Sequence, residues 1–575
     1  MAERIGPGAF EGTVNRLTWS WGLPVVALMA AAVAGTLAWP SLPISRVFMT
    51  EQDFPAIAVA GVFWLVVRWA PVGLGAALAS DRARLLAFGA AALTAAIGLG
   101  GALSVYHGYA LSMDEFMANF DAEILRRGVL QAPVAEAWRP YINALQPIFR
   151  HGYGGDAAWS SNYLPVSAAF RGLFDLIGAA ALTNALWAGL AVICTYGAAR
   201  RMWPDRPEGA MAAAVLLATS SQVLVTAMTP YAMTAHLALN MAWLWLFLRR
   251  TPASDAAAAG VAALACGLHQ VLFHPLFAAP FVFGLWIGRQ WRRAAWYTAA
   301  YLLIALAWSA YWTVAHQLIG AGAGTPAASA AAGTPIEEAA TLAGYFKVSG
   351  LGLMAKNLLR FVAWQNPLAI ALAVWGLIAA LKTDGVLRAL IAGFVLTIAA
   401  MFVLMPSQGH GWGYRYVHGL LGSVCLVAAH AWMRISEREG QAGPAWAMLA
   451  ASCAFSLLVL LPVRAWQVER WVAPYAAATR AIAAKDADVV IVDPRGMFYG
   501  DDLVRNDPFL INRPKVMDLA SLSEVKLAAV CRRYRVSVFD ERDGGALGIR
   551  KIVHTPRADA RLGRMRAEMA AMRCG

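Results

Sequence analysis

Charged side chains are scarce in this chain: 14% of its 575 residues, against 59% that are hydrophobic. A segment so poor in charge cannot be a solvated disordered arm, and no run of like charge marks a nucleic-acid tail. The 47 Lys and Arg outnumber the 34 Asp and Glu, but many of the basic residues fall in short loops between apolar stretches, so no nucleic-acid partner is expected. Cysteine is scarce as well, at six residues, and no CxxC or Cys/His spacing suggests structural zinc. Cys194, Cys266, Cys425 and Cys453 lie in apolar stretches, where cysteine acts as a small hydrophobe. Cys531 and Cys574 lie in the polar tail and are the pair that an oxidising compartment would join.

What the chain has in quantity is long apolar runs. Its mean hydropathy is +0.54, and stretches of about 20 apolar residues, each long enough for ~30 Å of hydrocarbon, recur along it. Hydrocarbon offers backbone N–H and C=O groups no partner, so such stretches must be helices. The expectation is a polytopic all-α membrane bundle of about 13 transmembrane helices, running from 21–39 to 446–461. The first stretch follows Arg4 and Arg16 and contains Ala32-Val-Ala34. Its apolar length favours a retained anchor over a cleaved signal.

Orientation follows from the basic residues. Arg82, Arg84, Arg200, Arg201, Arg249, Arg250, Arg289, Arg292, Arg293, Lys382, Arg388, Arg434 and Arg438 fall on one side, which the positive-inside rule makes cytoplasmic. The opposite turns at 229–231, 271–274 and 406–413 carry no Lys or Arg, and Arg46 is the exception. Residues 1–462 then form the membrane domain, with external segments at 107–178 and 318–366, and 463–575 form an external C-terminal domain. That tail mixes both signs of charge and alternates strand-like segments at 489–492, 516–519, 536–539 and 548–553 with helical patterns, which predicts a small α/β fold. Ser521-Leu-Ser-Glu524 reads as a capping box within it.

The acids that stand out are Asp114 and Glu115, in Ser112-Met-Asp-Glu-Phe116, just beyond the apolar span 85–106. Phe116, Phe120, Ile124 and Leu125 recur at helical spacing, predicting a helix on the membrane surface that Gly128 ends. Asp114 and Asp121 are seven apart and share a face of it, while Glu115 and Glu123 point elsewhere. Asp121, Glu123 and Glu136 read as solvated or dipole-favoured acids. An Asp121-Ala-Glu123 metal pair is not expected, because helical neighbours two apart diverge.

A span followed by an acidic pair at 113–116, an amphipathic helix, the stretch Trp159-Ser-Ser-Asn-Tyr-Leu-Pro165, the edge Gly409-His-Gly-Trp-Gly-Tyr-Arg-Tyr-Val-His418 and an external C-terminal domain resembles the GT-C superfamily of integral-membrane glycosyltransferases. Its members include protein O-mannosyltransferases, aminoarabinose transferases and arabinofuranosyltransferases. The resemblance implies an inverting enzyme in the bacterial inner (plasma) membrane. It would move a sugar from a polyprenyl-phosphate donor to a glycan, lipid or protein acceptor on the periplasmic face. Asp114 would be the general base, with Glu115 beside it. In several relatives the acid follows the first span; here Glu51 and Asp53 occupy that place and are the alternative. The acid that many relatives carry in the next external loop is absent from 228–231, so no cofactor or metal is expected.

The chemistry independently asks for a carboxylate to accept a proton and a cation to hold the departing phosphate. Arg415 suits the second task, since guanidinium grips phosphate bidentately. Tyr414, His410 and His418 surround it in sequence, and His236, His269 and His274 fall near the same membrane level, predicting a polar ring for donor phosphate or sugar. The Ala- and Gly-rich loop 320–335 reads as mobile, and Thr334 to Glu337 as a helix cap. A transporter or lipid flippase would place ionisable groups near midmembrane and show related halves. Only Arg68 falls so, and no repeat is evident.

Overall fold

The structure is a computed structural model that describes residues 43–76, 78, 82–150, 157–318, 348–438, 440–552 and 556–575. The expected span 21–39, the loop 320–335 and the cap at 334–337 lie outside the described residues. Every other expected span falls on helical segments. Among the described residues, six helices are long and apolar enough to cross a membrane: Ala83–Ser104, Leu182–Met202, Trp291–Ala315, Gly385–Leu404, Arg415–Ser436 and Ala442–Ala483. A seventh crossing is counted if Gly350–Ala363 and Pro367–Thr383, bent by 117°, act as one.

Among the described residues, several of the other expected spans fall on shorter or interrupted helices. Met233–Phe247, Pro252–Cys266 and Phe273–Ile287 have 15 residues each, about 22 Å of helix, short of ~30 Å of hydrocarbon. The run 209–226 breaks where Thr219 ends one helix and the Ser220 hydroxyl caps the next by accepting from the Val223 N–H. Helix Pro207–Ala218 is buried all round from Gly209 to Ala218, and its small side chains let neighbours approach closely. Trp291–Leu318 is the opposite: Leu302, Leu303 and Leu306 are each more than 60% exposed, which suits a helix whose surroundings are hydrocarbon.

The tail carries a parallel sheet of order β4-β3-β5, from Lys515–Asp518, Val489–Val492 and Val536–Phe539. The fourth expected strand, 548–553, does not form over its described residues, 548–552. Lys551 makes a single bridge to Met497, while Ile549 buries its side chain from a turn after Gly548 (φ +93°). The expected capping box also shifts: Ser523 caps helix Glu524–Arg533, and Ser521 instead donates to Asp518 at 2.5 Å. Cys531 and Cys574 form a disulfide with Cα atoms 5.5 Å apart.

Helix Met113–Arg126 forms as its spacing predicts, and Gly128 beyond it takes φ +76°. Its apolar face does not lie on the membrane. Met113, Met117, Phe120 and Ile124 share one core with Val489, Ile491, Met517 and Leu519 of the tail. A short antiparallel pair, β1 Ala132–Pro133 and β2 Ala158–Trp159, closes the segment that follows. Ala442–Ala483 passes through position 462 as one helix, so the chain enters the tail on a rigid element.

Candidate active site

The site is built at the start of helix Met113–Arg126. Ser112 caps it: its N–H donates to Glu115 Oε2 at 2.7 Å and its hydroxyl accepts from the Glu115 N–H at 3.4 Å. Glu115 is therefore turned into the helix end, fully buried, rather than toward a cleft. Burial pushes its carboxyl up to about 7, against the opposing pull of the Ser112 N–H and Arg505. Its other oxygen, Oε1, has no hydrogen-bond partner among the described residues. The expectation that Glu115 stands beside the base as a second catalytic acid is not what the geometry offers.

Asp114 points the other way. Arg415 Nη1 lies 2.6 Å from its Oδ2 and the Tyr163 hydroxyl donates to its Oδ1. Burial alone would raise this carboxyl, but the Arg415 guanidinium and further contributions from His269 and Tyr163 hold it below the usual carboxylate range. Asp114 is thus kept ionised. Arg415, expected to hold the departing phosphate, meets the expected base directly.

Each partner is delivered by its own device. On the face shared with Asp114, Asp121 accepts the Ser161 N–H at 2.9 Å and the Ser161 hydroxyl, and burial pushes its carboxyl up to about 6. Trp159 Nε1 donates to the Pro508 carbonyl at 2.6 Å. These bonds pin the segment that presents Tyr163. The Leu164 and Val166 N–H groups then donate to His269 and Gly267 at 3.1 and 3.0 Å, and the His269 ring stacks on Tyr163 with centroids 3.9 Å apart.

Arg415 arrives on a loop bent by Gly409 and Gly413, at φ +61° and +65°. A Cβ on Gly413 would come within 2.5 Å of Gln222 Oε1, and Gln222 holds the Tyr414 carbonyl at 2.9 Å. The Gln408 side chain accepts the Arg415 N–H at 2.9 Å, and Arg360 Nη2 donates to the Gly411 carbonyl at 2.7 Å. Arg415 Nε is buried with no hydrogen-bond partner among the described residues. Beneath it a small cavity, about 20 Å³, is lined by His236, Asn240, His269, Thr397, Arg415 and Tyr416.

Neither scan of known families and proteins gives a match: no family model and no curated protein matches this chain. Among solved structures it is similar to ArnT from Cupriavidus metallidurans bound to undecaprenyl phosphate, at 12% identity and TM-score 0.48, over 72% of this chain and 84% of that one. It is similar also to the apo state of ArnT, at 12% identity and TM-score 0.47, over 75% and 89%.

The expected histidine ring is only partly assembled. His236 and His269 reach the cavity, and neither nitrogen of His236 has a hydrogen-bond partner among the described residues. His274 is spent on Asn240 at 2.7 Å and Tyr301 at 2.9 Å. His410 sits 3.3 Å from the Tyr231 hydroxyl among Phe48, Trp412 and Trp471. His418 is fully buried without a partner and does not line the cavity. Tyr414 directs its hydroxyl to Met354 Sδ, 3.6 Å away, so Tyr416 takes the place expected of it. The alternative acids are occupied elsewhere. Glu51 pairs with Arg550, and Asp53 is buried between Arg360 at 3.3 Å and Arg464 at 3.9 Å, accepting from Trp364 Nε1 at 2.8 Å. Sequence reasoning missed Tyr163, Asn240 and Arg505, which clamps the Leu111 carbonyl at 2.7 Å just before the helix starts. Tyr163 lies in a stretch that sequence reading singled out, but no local pattern assigned it to Asp114.

Proposed function

We infer that this protein is an inverting membrane glycosyltransferase of the GT-C type, taking its sugar from a polyprenyl-phosphate donor on the extracytoplasmic face of a bacterial inner membrane. About thirteen spans, with the tail outside, belong to the same proposal. The observation that carries it is the Asp114–Arg415 pair, 2.6 Å apart in the first turn of a helix, beside a cavity lined by two histidines. An ionised carboxylate beside a cation with a free N–H is the minimum set for this transfer.

The acceptor hydroxyl oxygen forms a bond to the anomeric carbon as its proton passes to Asp114. The bond from that carbon to the phosphate oxygen breaks, and its electron pair leaves with the polyprenyl phosphate. Arg415 steadies Asp114 through Nη1 and offers Nε to the phosphate, with His269 and His236 donating to phosphate or sugar. Metal independence is part of the proposal: Asp121, which a cation would use, is already committed to Ser161.

The test is transfer by the purified protein in nanodiscs, supplied with a polyprenyl-phosphate sugar and followed by release of polyprenyl phosphate. Asp114→Asn removes the proton acceptor at nearly constant volume and should abolish transfer while the donor still binds. Arg415→Lys should weaken turnover and Arg415→Ala should cost more, on the order of 2–4 kcal/mol. Wild-type turnover in Asp114→Asn contradicts the reading.

A further inference from the structure

The tail sheet has an open side that the chemistry above leaves unused. Its first strand in the chain, β3, is central; the chain returns on one side as β4 and on the other as β5. Connections that diverge from a central parallel strand leave a crevice beyond the carboxyl ends of the strands, where open α/β sheets bind ligands. In this crevice Pro494 and Met497 to Asp501, after β3, and Asp518, Ala520 and Ser521, at the end of β4, line a cavity of about 540 Å³, within the range of ~300–1,000 Å³ that holds small ligands.

The opposite wall comes from the membrane part: Ile44, Pro147, Ile148, Ser407 and Gly409. Gly409 belongs to the loop that ends at Arg415, so the cavity abuts the site. Tyr499, held in a left-handed conformation at φ +49°, lines the same cavity as Gly409.

The lining names a ligand class. It contains the carboxylates of Asp501 and Asp518, the hydroxyls of Tyr499 and Ser521, and no Lys or Arg among the described residues. Carboxylates with no cation beside them among the described lining residues favour neutral or amino-bearing groups over a phosphate. Carboxylates accept hydroxyl protons strongly, and Asp518 is held rigid by the Ala520 N–H at 3.0 Å and by Ser521. Met497, Phe498 and Ile148 give the apolar surface that a sugar ring packs against.

We propose that this cleft is the acceptor site and that the acceptor is a neutral or amino-bearing carbohydrate, bound by Asp501 and Asp518 with its reactive hydroxyl directed toward Asp114. This rests on the glycosyltransferase reading, which left the acceptor class open.

The test uses the full chain in nanodiscs and a panel of neutral hexose and hexosamine oligosaccharides, with hexose phosphates as the anionic comparison. Binding is read by saturation-transfer NMR without donor, so it does not depend on turnover. Some neutral or amino sugars should bind the wild type, and hexose phosphates should bind at least tenfold more weakly. Asp501→Asn should weaken saccharide binding about tenfold, and Ala520→Trp, which fills the cavity, should abolish it, with thermal melting as the folding check. Failure of the whole panel to bind the wild type, equal binding to Ala520→Trp, or preference for hexose phosphates overturns the proposal. Saccharide binding lost in Ala520→Trp, together with unchanged transfer in Asp114→Asn, would keep the cleft and remove the transferase reading. Transfer to saccharides that is indifferent to Ala520→Trp would do the reverse.

Discussion

Asp114 and Glu115 are adjacent carboxylates with opposite electrostatic fates. Asp114 has gained a cation and a phenol, while Glu115 has been given the backbone of its own helix and an otherwise dry surrounding. The consequence is measurable. Because the folded-state Glu115 carboxyl is raised from 4.5 to about 7, the folded protein holds a proton between those pH values that the unfolded chain releases. Stability from this group therefore falls as pH rises through the window and levels off above it. Glu115→Gln keeps an oxygen for the Ser112 N–H but carries no charge. Its melting temperature relative to the wild type should climb from pH 4.5 to 7, by an amount equivalent to at most about 3 kcal/mol. A pH-independent difference would mean that Glu115 is solvated. The Ser112-to-Glu115 capping spacing is present in the sequence, whereas the Arg415 contact spans 301 positions and leaves no local trace.

At the scale of elements, helices were legible because hydrocarbon forces apolar runs into them. Their ends were less so, since Ser521 and Ser523 offer the same hydroxyl and only the packing of β4 decides which one caps. The strand expected at 548–553 fails for a related reason: Ile549 buries its side chain without a ladder partner, so burial alone mimicked a strand pattern. The loop that carries Arg415 allows a sharper test of an element. Gly409 and Gly413 share a positive φ, but only Gly413 would bring a Cβ against a neighbour. Backbone strain of about 1–3 kcal/mol should appear in both Gly409→Ala and Gly413→Ala. Gly413→Ala should lose more stability and, by displacing Gln222 from the Tyr414 carbonyl, lower turnover as well. Equal melting temperatures for the two variants would show that the Gln222 contact plays no part in setting the loop.

Across the whole molecule, the fold makes one rigid path from membrane to site. Helix Ala442–Ala483 leads into a sheet whose core is shared with the helix bearing Asp114, so the Asp114 carboxylate is anchored to the tail rather than to lipid. Composition announced the membrane but not this shared core, which depends on pairing residues from opposite ends of the chain. Orientation is testable by thiol labelling, since the four free cysteines are buried. A cysteine at Glu136 should be modified from outside intact cells, and cysteines at Ala253 or Thr383, all three exposed positions, should not. Labelling of Thr383→Cys from outside would invert the topology and move the site to the cytoplasmic face. The central claim is that Asp114 and Arg415 face a donor phosphate, and the most direct measurement is an electron cryo-microscopy map of the protein with polyprenyl phosphate. The account predicts phosphate density within hydrogen-bonding distance of Arg415 Nε, with His269 alongside and Asp114 across from the anomeric position. Phosphate density elsewhere, with the Asp114–Arg415 pair closed and untouched, would contradict it.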